Sequence, residues 1–296
     1  MWQWPGSGYV SIVSDPNHLL ILTHREAAAL LRAIEAGEPT TSASLDLGLS
    51  TVDLEVSPSG AVIGGSAIGI PALKKIAKDD RKCFEIVDGE PVPISVFSET
   101  TNWVRTLCPT SGAPTTLVAG FPMHRVKGTD PIADTKQKIR ALGRARGRVL
   151  DTATGLGYTA IELAKAAIQV VTVELDPAAI DIARRNPWSR GLFERPNIRI
   201  VTGDVFEAVD EFADSHFDAV LHDPPTLALA GELYSGEFYR KLHRVLRHGG
   251  KLFHYIGDPD SAVGASTTRG VMRRLGDAGF REIKRQPRAF GVSAIA

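Results

Sequence analysis

The stretch FDAVLHDPPT, residues 217–226, holds the residue types with the plainest chemistry. An apolar strand finishes there in His222-Asp223-Pro224-Pro225. Two successive prolines fix the backbone and remove two N–H donors, so the carbonyls at this point are pure acceptors. An ionised carboxylate is also acceptor-only. Asp223 beside the Pro224 carbonyl is therefore suited to hold both hydrogens of an NH₂ group. An aromatic exocyclic amine is a poor nucleophile because its lone pair is delocalised into the ring. Two acceptors on its hydrogens favour a pyramidal nitrogen and aim the lone pair at an electrophile. This works by positioning and electrostatics, with no covalent intermediate and no metal. His222 is a candidate contact for substrate or cofactor, against a satisfied strand-end histidine. The plain alternative for the motif is a strand-ending turn.

A second constellation lies upstream in VLDTATGLGYT, residues 149–159. A strand ends at Asp151, and Gly155 and Gly157 form the turn into a helix, where glycine lets a ligand approach the backbone closely. In a doubly wound sheet, this first strand end is where a nucleotide-bearing ligand sits. The third glycine of the dinucleotide fingerprint is missing, which makes NAD a poor fit. VVTVELDP then ends its strand at Glu174, an acid placed to accept bonds from two ribose hydroxyls. IVTGDV places Asp204 after a third strand, to accept from an adenine amino group or to cap a helix. The candidate cofactor cradle comprises Asp151, Thr152, Ala153, Gly155, Gly157, Tyr158 and Thr159, with Glu174, Leu175, Asp204 and Val205.

These residues need a scaffold, and two regions of different pattern supply it. Residues 1–125 read as a small α+β unit. HREAAALLRAIEA is a helix over His24–Ala36, started by Thr23 and stopped by Gly37. STVDLEV and AVIGG flank the turn SPSG as a hairpin. IPALKKIAKDD suggests a second helix, and CFEIV, PISVF, NWVRTL and TTLVAG are short strands. No catalytic motif falls here, so a domain that grips substrate is the natural expectation, with a purely structural role as the alternative. Residues 126–296 alternate strands and helices, the pattern of a parallel sheet covered on both faces. ADTKQKIRALG leads as a helix, then come the strands GRVLDT, QVVTVEL, IRIVTGD, FDAVLHD and KLFHYIG. YTAIELAKAA and PAAIDIARRN are helices between them, and GEFYRKLHRVLRHGG is a helix closed by two glycines. FREIKRQPRAFGVSAIA ends the chain as an antiparallel pair. The expected class is α/β, a Rossmann-like seven-stranded sheet with a smaller N-terminal α+β domain.

The bulk numbers narrow the functional class. With 296 residues, 43% hydrophobic and 23% charged, the composition is that of a soluble globular protein. No apolar run is long enough to span a bilayer, and MWQWPGSGYV lacks the features of a signal peptide. Cys83 and Cys108 form no CxxC pair, so neither a disulfide framework nor a thiolate zinc site is expected. The reading is cytoplasmic, with no metal and no membrane. Net charge is zero, yet residues 1–130 carry 10 Lys/Arg against 14 Asp/Glu, and residues 131–296 carry 24 against 20. Lys136, Lys138, Arg140, Arg144, Arg146 and Arg148 form one basic cluster, and a second runs from Arg269 to Arg288. Each either holds phosphates or is a solvated face.

Together, D-x-x-x-G-x-G, the acid after the second strand, the GD pair and D-P-P resemble a class I amino-methyltransferase dependent on S-adenosylmethionine. More narrowly, TSGAPT, DTATGLGYTAIE, NPWS, LHDPPT, AGELYSGEFYR and GGKLFHYIGDP resemble an archaeal family associated with N4-cytidine methylation of small-subunit ribosomal RNA. The resemblance implies S-adenosylmethionine as cofactor and RNA as partner, with methyl transfer to cytidine N4, once or twice. Asp151 would then face the methionine amino end of the cofactor. The target base must be single-stranded, looped or flipped out. The nitrogen becomes acidic once it carries the methyl, so no strong general base is required. Thr226 departs from the aromatic usual at the fourth motif position, which leaves Tyr234, Phe238, Tyr239, His254 and Tyr255 as candidates to stack on the base. Two alternatives stand beside this reading. One is aminopropyl transfer to a polyamine from decarboxylated S-adenosylmethionine, with Asp223, Asp258 and Asp260 lining an acidic pocket. The other is a non-catalytic RNA-binding protein on the same fold.

Overall fold

The computed structural model describes residues 19–296, so MWQWPGSGYV lies outside the described residues. β1 (Ile21–Leu22) leads into α1 (His24–Ala36). Thr23 and Glu26 form a reciprocal capping box at its start, and Gly37, at φ 71°, ends it in the left-handed region. β2 (Thr40–Ala43), β3 (Val52–Ser57), β4 (Gly60–Ile63) and β5 (Ser66–Gly69) form an antiparallel meander in that order. α1 and α2 (Ile70–Ala77) bury Leu30, Leu73 and Ile76 against Leu54, Ile63 and Ile68 of this meander.

β6 (Phe84–Val87) and β7 (Glu90–Pro93) pair as a hairpin beside β1. β7 is absent from the sequence expectation because it holds two prolines, which an edge strand tolerates. β8 (Ser95–Ser98), β9 (Trp103–Cys108), β10 (Thr115–Val118) and β11 (Phe121–Pro122) make a further, four-stranded antiparallel sheet. This region is not independent of the C-terminal part of the chain. Ile21, Cys83, Ile94 and Leu107 share one core with Val149, Leu156, Tyr158, Leu221 and Phe253.

α3 (Pro131–Leu142), capped by Asp130, precedes β12 (Arg148–Asp151), α4 (Tyr158–Leu163), β13 (Gln169–Glu174) and α5 (Pro177–Arg184). Then come α6 (Arg190–Glu194), β14 (Ile198–Thr202), α7 (Val205–Ala208), β15 (Phe217–His222), α8 (Gly236–Val245) and β16 (Leu246–Tyr255). α9 (Ala262–Asp277), β17 (Arg281–Gln286) and β18 (Gly291–Ile295) complete the chain. The seven strands run β14-β13-β12-β15-β16-β18-β17, parallel from β14 to β16, with β18 antiparallel to both its neighbours. This is the Rossmann-like methyltransferase sheet. Strand order reverses between β12 and β15, and the crevice at that switch point collects the ends of both strands.

α8 and α9 differ from expectation as well. α8 stops at Val245, and Leu246 to Gly250 already belong to β16 instead of closing the helix. Leu246 is buried beside Phe217, and Gly249 takes φ 75°, so the strand bends where the register with β15 shifts. α9 gave no sequence signal, because AVGASTTRGVMRRLGD mixes glycine and β-branched residues. Burial of Val271 and Leu275, with a cap from Ser261, holds it.

Candidate active site

The carboxyl ends of β12, β13 and β15 bring Asp151, Glu174 and Asp223 to one side of the sheet. Asp151 is fully buried, and its Oδ2 accepts from Thr159 Oγ1 at 2.9 Å and from Thr172 Oγ1 at 3.0 Å. Its Oδ1 is buried with no hydrogen-bond partner. Burial raises its pKa to about 8, against the two threonine bonds that favour the charge. Glu174 accepts from the Gly155 N–H at 2.8 Å through Oε2 and from the Asp176 N–H at 3.1 Å through Oε1. Burial raises its pKa too, opposed by those N–H groups. Each oxygen keeps a lone pair for a further donor.

The turn between β12 and α4 needs its glycines for two different reasons. Gly155 has φ 52° and open space where a side chain would go. Gly157 has φ 76°, and a Cβ there would come within 2.6 Å of Leu192 Cδ2. Leu175, beyond Glu174, is half exposed at the lip of the crevice. Asp204 is exposed and caps α7 by accepting from the Phe206 N–H at 2.8 Å. Ala153 is half-buried in the turn. An orphaned buried acceptor at Asp151, open space over Gly155 and spare lone pairs on Glu174 fit a ligand carrying a cation and a hydroxylated sugar.

Three of the expected cradle residues are committed elsewhere. The Tyr158 hydroxyl donates to the Pro114 carbonyl at 2.9 Å and accepts from Asn186, so this side chain fastens the N-terminal region. Thr152 gives its hydroxyl to His222, and Val205 lies in the core under α7. His222 itself is the satisfied strand-end histidine. It has no exposed surface, accepts from Thr152 Oγ1 at 2.7 Å through Nδ1, and donates through Nε2 to the Leu233 carbonyl at 3.0 Å. Burial lowers its pKa to about 4, so it is neutral and has no polar atom left for a substrate.

Asp223 has a partner that sequence reasoning assigned to the phosphate-holding cluster. Lys138, on α3, is buried and donates to Asp223 Oδ2 at 2.6 Å. Its Nζ is also 3.1 Å from Asp134 Oδ2 and 4.3 Å from the ring centre of Tyr255. Arg125 Nε stands 3.4 Å from Asp134 Oδ1 and its guanidinium lies on Phe290. Burial alone would lower the Lys138 pKa, but Asp223 and Asp134 outweigh it and hold the pKa above the ordinary lysine value. The cluster is thus two acids compensated by two cations. Asp223 Oδ1 and the Pro224 carbonyl make no protein hydrogen bond among the described residues, whereas the Pro225 carbonyl accepts from Tyr234. The spacing on α3 carried a signal. Pro131, Asp134, Thr135, Lys138 and Leu142 form one buried helical face, so Lys138 had to point inward.

The stacking candidates thin out as well. Phe238, Tyr239 and His254 are buried core side chains, Tyr234 is buried with its hydroxyl on the Pro225 carbonyl, and of the five Tyr255 alone is partly exposed beside Lys138. The remaining basic residues of the first cluster, Lys136, Arg140, Arg144, Arg146 and Arg148, are exposed. Among the described residues, no group of three or more His, Cys, Asp or Glu is placed to hold a metal, and no helix is long and apolar enough to cross a membrane.

Residues 149–250, from β12 into β16, match the family described as "Methyltransferase domain". The segment includes the turn over Gly155, Glu174 and Asp223. The fold and this match give residues 149–250 a methyltransferase domain of Rossmann-like fold, a class of enzyme whose cofactor is S-adenosylmethionine. The chain belongs to the same family as "Uncharacterized protein MJ1233" of Methanocaldococcus jannaschii, to which it is 43% identical over 230 residues, 77% of this chain and 78% of that one. It is also 28% identical to "Polyamine aminopropyltransferase 2" of Streptomyces coelicolor, over 74% of this chain but 42% of the longer relative. Among solved structures, spermidine synthase from Thermotoga maritima superposes with a TM-score of 0.54 at 19% identity, covering 68% of this chain and 71% of that one. That likeness is one of fold.

Proposed function

We propose that the protein is an RNA methyltransferase acting on an exocyclic amine, cytidine N4 of small-subunit ribosomal RNA. The observation that carries this reading is the pair of free acceptors, Asp223 Oδ1 and the Pro224 carbonyl, at the strand end next to the β12 turn. S-adenosylmethionine supplies an electrophilic methyl group when bound. In this reading Asp151 holds its ammonium, Glu174 its ribose hydroxyls, and Gly155 gives the backbone room. Leu175 and Asp204 stand at the adenine end. Asp223 and Pro224 accept the two amine hydrogens and turn the nitrogen lone pair toward the β12 side, while Pro225 fixes the turn through Tyr234. Tyr255 replaces the aromatic missing at Thr226, and exposed arginines follow the RNA backbone.

A second reading, aminopropyl transfer to a polyamine, draws on the Streptomyces coelicolor relative. One experiment separates the two. Label from methyl-labelled S-adenosylmethionine is followed into total RNA, with decarboxylated cofactor and diamines assayed in parallel, and nucleosides are resolved by mass. N4-methylated or N4,N4-dimethylated cytidine supports the first reading. Turnover of decarboxylated cofactor alone would replace it with the second.

A further inference from the structure

The buried ion cluster on α3 carries an inference beyond the reaction class, and it rests on the amine-holding role given to Asp223 above. Lys138 is 3% exposed, lies between Asp223 and Asp134, and spans from the helix before the sheet to the end of β15. A buried lysine between two carboxylates is often no more stabilising than apolar packing, so the cluster calls for a role other than stability. We propose that Lys138 determines the charge of the acceptor. With Asp223, Asp134 and Arg125 it makes a balanced cluster, so the pocket takes a neutral amine and turns away polyammonium ions.

The physical cause is desolvation against a compensated charge. A dication entering this pocket must give up its hydration, and it meets in Asp223 an acid whose charge Lys138 already offsets, while Arg125 stands against Asp134 behind it. A neutral aromatic amine needs only the two free acceptors. Lys138 also fixes orientation. By holding Oδ2 at 2.6 Å it leaves Oδ1 as the oxygen presented to the substrate, and it favours the ionised, acceptor-only carboxylate against burial, which raises the Asp223 pKa. Asp151, with its pKa raised to about 8 by burial, adds little negative charge nearby at neutral pH until a cation binds. Asp258 and Asp260, expected to enrich an acidic pocket, sit on the exposed loop before α9 and do not enter the cluster.

The test is calorimetric titration of putrescine into the full-length protein saturated with S-adenosylhomocysteine, beside methyl transfer to RNA. Wild type is expected to give no saturable putrescine binding. Lys138→Gln removes one cation and should gain putrescine affinity by about tenfold or more while losing turnover on RNA by a similar factor. Lys138→Arg should restore rejection of putrescine, which a purely structural role would not require. A well-folded Lys138→Gln with unchanged putrescine affinity overturns the proposal. Should Lys138→Gln not fold, Arg125→Gln removes the other cation of the cluster, and unchanged rejection of putrescine by that variant, or saturable putrescine binding by wild type, overturns the proposal. The outcomes also separate this idea from the reading beneath it. RNA methylated with Lys138→Gln selectivity unchanged defeats only the role of Lys138. No RNA methylation, with putrescine gained on Lys138→Gln, defeats only the choice of RNA.

Discussion

The ends of β12 and β13 and the end of β15 lie on one sheet, yet their acids are secured in different ways. Asp151 and Glu174 find their partners close by, in Thr159, Thr172 and the N–H groups of Gly155 and Asp176. Asp223 is held by Lys138, 85 positions earlier in the chain, and through it by Asp134 and Arg125. The first arrangement assembles as soon as two adjacent strands and one turn form. The second needs α3 docked against the strand end. On the proposed reading, the cofactor cradle is encoded locally, while the acceptor side depends on tertiary contact and is where specificity can change without disturbing the cradle.

The sharpest way to break this contrast is Asp223→Ala. It should lower methyl transfer by about 10²–10³-fold, the loss expected for one preorganised electrostatic partner. Cofactor affinity by calorimetry should stay nearly the same. Equal loss of both would place Asp223 on the cofactor side and erase the distinction.

Asp151→Asn should act on the other half, weakening S-adenosylmethionine binding by about tenfold or more. Its pH signature is specific. With a folded pKa of about 8, well above the ordinary carboxylate range, the folded protein keeps a proton that the unfolded chain has released. Stability without cofactor should thus fall as pH rises through this window and level off above it. A bound ammonium favours the ionised form, so cofactor binding near neutral pH should release close to one proton. Titrations in buffers of different ionisation enthalpy would detect it, and Asp151→Asn should abolish it.

A smaller effect is expected at the join between the regions. Asp176 caps α5 and accepts from Arg105 on β9, and the Asp176 N–H donates to Glu174. Burial would raise the Asp176 pKa, but Ser98 and Arg105 outweigh it and keep this acid ionised. Arg105→Gln should cost about 1–3 kcal/mol of stability, read from thermal melts, and weaken cofactor binding through Glu174. Unchanged cofactor affinity would show that the N-terminal region does not help position the cradle. The smallest change is Asp204→Ala, worth about 1 kcal/mol through loss of the α7 cap, with a slight loss of cofactor affinity.

Much of this was legible from residue order alone. Periodicity and end signals located α1 with its Thr23 cap and Gly37 stop, the β3–β4 hairpin and the five parallel strands, because hydrophobic spacing and caps are local properties. Strand-end acids and glycines marked the proposed cradle for the same reason. β7 and α9 were hidden, since proline on an edge strand and glycine in a packed helix run against local propensity and are tolerated only through neighbours. His222 and Tyr158 looked available from their positions, and only their bonds to Leu233, Thr152, Pro114 and Asn186 remove them from the site.

Residue order was enough to set the strand–turn–helix units and the side chains at their ends, because backbone preference and burial period act over a few residues. Which charges meet was settled only when the elements packed. Lys138 sits among exposed arginines along the chain, and whether it meets water or Asp223 depends on how α3 docks. That docking is set by Leu142 and its neighbours packing on the sheet, and burial then makes the charge partner obligatory.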